Sequence, residues 1–133
     1  MPYDFYLESE NKEKIFTENA WEEMQQQLNN FPHYQVDEKF YYIFEHEEQR
    51  NVAISGILSD IAQNKNIYIY PCVVFKPNSI TISVVGDNDV DRYLYDFVVW
   101  CQKRYPSSLY SESGKLVPPE DLLDDEEEIP LIN

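Results

Sequence analysis

The run Ile80-Thr81-Ile82-Ser83-Val84-Val85, followed by residues 88–105, constrains the fold more than any other part of the chain. The first piece alternates β-branched apolar residues with hydroxyls, the pattern of a strand with one face in a core. The second carries Val90, Leu94, Phe97, Val98 and Cys101 at spacings of three and four, the apolar stripe of a helix. An Asp or Asn within Gly86-Asp87-Asn88-Asp89 caps its start. Asp89 and Asp91 suit its positive end, Lys103 and Arg104 its negative end, and Pro106 stops it. A strand feeding such a helix asks for a sheet with helices laid on it.

The rest of the chain supplies that sheet. Tyr3, Phe5 and Leu7 alternate with Asp4, Tyr6 and Glu8, a half-buried strand. Thr17 is an N-cap for a helix over about 17–30, with Ala20, Trp21, Met24 and Leu28 on its apolar side and Pro32 enforcing its end. Residues 39–46 are rich in strand formers, 47–51 read as a turn, and 52–58 read as the returning strand of a hairpin. Residues 59–66 are ambiguous between a helical turn and a loop. Ile67-Tyr68-Ile69-Tyr70 reads as a strand that Pro71 interrupts, which marks an edge or a bulge. Val73-Val74-Phe75, the turn Lys76-Pro77-Asn78-Ser79 and residues 80–85 form a second hairpin. Residues 108–110 and 115–117 make a short final ribbon. This order predicts an α+β fold: a mostly antiparallel sheet of about 4–6 strands with two amphipathic helices packed on one face.

Residues 1–117 form one domain on this reading. Residues 118–133 differ in composition, carrying seven acids and no base, and are expected to be an extended or poorly ordered tail. The net charge is −15, of which the domain holds −8. Such a field repels phosphate backbones and anionic bilayers, so nucleic acid and membrane surfaces are excluded as partners. It attracts basic proteins and speeds their encounter. The chain has only three glycines, Gly56, Gly86 and Gly114, which argues against a phosphate-cradling loop. Cys72 and Cys101 stand in apolar surroundings and form neither a disulfide framework nor a zinc site; a single disulfide between them is left open by the sequence. No leader or apolar span is visible, and the cytoplasm is the expected compartment.

Catalytic chemistry has little to stand on. Of the two histidines, His33 follows Pro32 in a loop, and His46 lies among Glu45, Glu47 and Glu48. His46 reads as a solvated strand end; as a general base it would have no nucleophile beside it. Apolar neighbours raise a thiol's pKa and argue against a reactive cysteine. Asp87-Asn88-Asp89-Val90-Asp91 has the first oxygens of a calcium loop. It then places Arg92 and Val98 where that loop needs glycine and glutamate, so helix capping explains the acids and no metal or cofactor is expected. The surplus tyrosines fit an interface, since Tyr and Trp anchor protein contacts.

Three features together resemble bacterial toxin-immunity proteins, the antidotes paired with contact-dependent or secreted toxins. They are the Tyr3-Asp4-Phe5-Tyr6-Leu7 strand before the Trp21 helix, the Ile80–Gly86 run leading into the 88–105 helix, and the Ser113-Gly114-Lys115-Leu116 turn. The resemblance spans residues 3–117 in layout. It implies a non-enzymatic inhibitor that binds a cognate toxin domain and blocks its active site or substrate access. The acidity makes that toxin basic, with Glu45, Glu47, Glu48, Asp87, Asp89, Asp91, Asp124, Asp125, Glu126, Glu127 and Glu128 as candidate contacts. An acidic adaptor or regulatory domain is the alternative, and a small enzyme or ligand-binding domain the third reading.

Overall fold

The computed structural model describes residues 3–10, 16–62, 71–84, 86 and 88–123. They form an α+β fold of seven strands and three helices. In chain order these are β1 (Tyr3–Ser9), α1 (Glu18–Leu28), β2 (His33–Val36), β3 (Phe40–Ile43), α2 (Glu47–Ala62), β4 (Val73–Phe75), β5 (Ile80–Val84), α3 (Asn88–Arg104), β6 (Ser107–Ser111) and β7 (Leu116–Val117). Every neighbouring pair in the sheet is antiparallel, in the order β2-β3-β4-β5-β1-β6-β7. The sheet exceeds the expected 4–6 strands because residues 33–36, without a strong strand signal, pair with 40–43.

One face of the sheet makes the core. Phe75, Ile80, Leu7, Leu109 and Val117 stand side by side across five strands, all buried. Against them pack Ala20, Met24 and Leu28 of α1 and Val90, Leu94, Phe97, Val98 and Cys101 of α3. Fully burying one such large side chain contributes about 1.5–3 kcal/mol, so this double layer dominates stability. The Thr17 hydroxyl accepts from the Ala20 amide at 3.1 Å and starts α1 as its spacing predicted. The core reaches past residue 117: residues 119–123 form a short 3₁₀ turn, and Leu122 is 0 % exposed. The remaining tail, 124–133, lies outside the described residues, as does the strand expected over 67–70.

Two expectations need correction. Residues 47–58 are not a turn and a returning strand but the start and body of α2. The His46 carbonyl accepts from the Arg50 amide at 3.1 Å, and its ring Nδ1 accepts from the Gln49 amide at 3.2 Å, which makes His46 the cap. Gln49 Oε1 in turn accepts from the Glu45 amide at 2.7 Å, and Glu47 and Glu48 occupy the acid-favouring first turn. The helix start outweighs the β-branched composition that follows, and Val52 is left 73 % exposed. The second correction concerns Pro71. It marks no edge, because β4 lies between β3 and β5. Pairing begins one residue later, where the Cys72 amide donates to the Tyr41 carbonyl at 2.7 Å, so the missing proline N–H costs the ladder nothing.

Candidate binding face

Strand alternation sends a second set of side chains to the face opposite α1 and α3. The register puts one residue from each strand into a single row there: Val36, Phe40, Val74, Thr81, Tyr6, Tyr110 and Leu116. Six of the seven are apolar or aromatic. The row is half-buried at Val36, Phe40, Val74, Tyr6 and Tyr110, and Leu116 at its end is 63 % exposed. A neighbouring row brings in Tyr34 and Tyr42, whose rings lie 6.1 Å apart, and then Ser83 and Asp4. The Ser83 hydroxyl donates to Asp4 Oδ1 at 2.6 Å. Burial, with help from Tyr34 and Cys72, raises the Tyr42 phenol's pKa.

Within this face lies an open cleft of about 330 Å³, lined by Tyr6, Glu8, Tyr110, Ser111, Glu112 and Gly114. Tyr6 and Tyr110 are direct cross-strand partners on β1 and β6. Glu8 is two residues along β1 on the same face, and Glu112 begins the turn between β6 and β7. That turn is held by Gly114, whose φ of 84° is open to glycine without strain, and by the Ser111 amide donating to the Lys115 carbonyl at 2.9 Å. The lining includes two carboxylates, Glu8 and Glu112, and no basic residue. One strand along in the same row, Thr81 is 6 % exposed, and its hydroxyl has no hydrogen-bond partner among the described residues.

The acids singled out from charge clustering lie elsewhere. Glu45, Glu47 and Glu48 surround the start of α2, where Glu47 pairs with Arg50 at 3.4 Å. Asp89 is exposed in the first turn of α3, and Asp91 beside it is 3 % exposed, so its side chain is part of the interior. The Tyr93 hydroxyl donates to the Glu45 carbonyl at 2.7 Å and brings the two helix starts together. Asp87 and residues 124–128 lie outside the described residues. Alternation in β1 assigned Tyr6 and Glu8 to one face; what sequence could not supply was the strand order that sets Tyr110 beside Tyr6.

A second cleft of about 480 Å³ lies between α1 and α3, lined by Glu23, Gln26, Gln27, Trp100 and Arg104. Its charges are matched. Arg104 Nε donates to Glu23 Oε1 at 2.9 Å, and the Tyr105 hydroxyl donates to the same oxygen. These donors hold the Glu23 carboxyl below its usual range. Neither cysteine is in a disulfide and both are buried, and burial pushes the Cys101 thiol up, far from a reactive thiolate. Among the described residues no helix is long and apolar enough to cross a membrane. No protein-family model matches the chain, and no curated protein or solved structure matches it.

Proposed function

We propose that this chain is an immunity-type inhibitor that binds a basic toxin domain and covers its active site or substrate path, without catalysis or a cofactor of its own. What supports the reading is the aromatic row across the sheet face opposite α1 and α3 in a chain of net charge −15. Tyrosine rings give contact area at low conformational cost, and the acidic field draws a basic partner in before contact. The acids also take the place of substrate phosphates where the toxin cleaves nucleic acid. The reading places the protein in the cytoplasm, where a toxin would meet its substrate.

The test starts from the gene immediately upstream: if it encodes a large secreted protein, that protein's C-terminal domain is co-expressed in bacteria with this chain. The expected outcome is survival of cells that otherwise die, and co-purification of the two chains. Neither rescue nor a complex would end the immunity reading. Capture of a basic partner that is harmless on its own would replace it with the adaptor reading.

A further inference from the structure

We infer that the Tyr6–Tyr110 cleft is the socket for a cationic side chain, Arg or Lys, of the protein partner; this deepens the reading above and rests on it. The occupant follows from what lines the cleft. Tyr6 and Tyr110 are cross-strand partners on β1 and β6 and both line the cleft, and a cation held over an aromatic face within about 6 Å is attracted by the ring quadrupole. Glu8 and Glu112 line the same cleft, so a guanidinium or ammonium over the rings also finds carboxylate acceptors. The same chain already makes a contact of this kind, with the Arg92 guanidinium carbon 5.7 Å from the centre of the Tyr95 ring. The cleft between α1 and α3 lacks this character, because Arg104 already occupies its carboxylate. Lys115 lies in the same turn as Glu112 but does not line the cleft.

The shape of the face fits a side chain reaching in from a larger surface. The cleft is open and about 330 Å³, and exposed Leu116 flanks it on β7. A partner can therefore seat apolar surface along the Tyr110–Leu116 pair while one basic residue enters between the rings.

A hexa-arginine peptide titrated into the isotope-labelled full chain tests this, with hexa-serine as the neutral control. Amide shifts at Tyr6, Glu8 and Tyr110–Gly114 are expected with hexa-arginine alone. The double change Glu8→Gln with Glu112→Gln should weaken binding about fivefold, and Tyr110→Leu about threefold, with Tyr110→Phe restoring it because the ring remains. Glu18→Gln with Glu22→Gln removes the same charge from exposed α1, across the molecule, and should change binding less than twofold. Thermal melting confirms that each variant is folded. If both double variants weaken binding equally, or if Tyr110→Leu binds like wild type, attraction is diffuse and the socket is overturned. The basic-partner reading would survive that result, since co-expression rescue decides it separately. Rescue failing while the socket variants behave as expected would sink the immunity reading and leave the cation site.

Discussion

Thr81 shows how much a single side chain can reveal about the face opposite α1 and α3. It stands in the row between Val74 and Tyr6, yet its buried hydroxyl has no partner among the described residues. An orphan of this kind costs about 1–3 kcal/mol against a bonded one. Thr81→Val keeps the shape and removes the orphan, so chemical denaturation should show a gain of about 1 kcal/mol; a loss would mean that the hydroxyl has a partner in solution. Glu23 gives a second test at this scale. Arg104 and Tyr105 depress its folded pKa, so its contribution is present above the unfolded value and is lost as pH falls through the lowered one. Glu23→Gln cannot titrate. Its melting temperature should fall less than that of the wild type between pH 5 and pH 3, and an unchanged fall would argue against the pairing. At the alkaline end Tyr41 is the group to watch, since burial, with Glu38 adding to it, has pushed its phenol up to about 12.

At the scale of elements, the turn between β2 and β3 stands out. Asp37 and Glu38 both have positive φ, 55° and 62°, and the Lys39 amide donates to the Val36 carbonyl at 3.2 Å. Two consecutive left-handed residues are what a type I′ turn needs, and Asn-Gly is the pair that suits it. Replacing Asp37-Glu38 by Asn-Gly should stabilise the protein by about 1 kcal/mol, read from the denaturation midpoint at unchanged slope. The same turn explains why β2 was illegible: Asp-Glu carries no hairpin signal, and His33-Tyr34-Gln35-Val36 has only weak alternation. Elements with a periodic stripe and a clear stop, α1, α3 and the β4–β5 hairpin, were legible. The α2 segment misled because Val52, Ile54 and Ile57 look like a strand, while the decisive capping contacts of His46 and Gln49 are geometric. The candidate face was half legible for a related reason. Alternation assigns residues to a face within one strand, but strand order decides which tyrosines meet, and that order is a tertiary fact.

For the whole molecule, charge is the governing quantity. A net −15 on 133 residues sets like charges against one another in the compact state. Raising NaCl from about 0.01 M to about 0.15 M shortens the screening length from about 30 Å to about 8 Å. The melting temperature should rise across that range, whereas a fall would show that local pairs such as Glu23–Arg104 outweigh the net repulsion. Association with a basic partner should respond in the opposite sense and slow as salt is added.

The place of β1 has a consequence for the order of assembly. It is the earliest strand in the described chain, yet it lies between β5 and β6. During synthesis, residues 3–9 therefore leave the ribosome with both hydrogen-bonding edges bare and wait until residues 80–84 and then 107–111 arrive. The β2–β3 hairpin closes locally long before, while the middle of the sheet closes last, against the full loop-closure cost of distant pairing. For that interval Tyr3-Asp4-Phe5-Tyr6-Leu7 is an unpaired apolar ribbon, and the charges at Asp4 and Glu8 are of the kind that discourages edge-to-edge pairing.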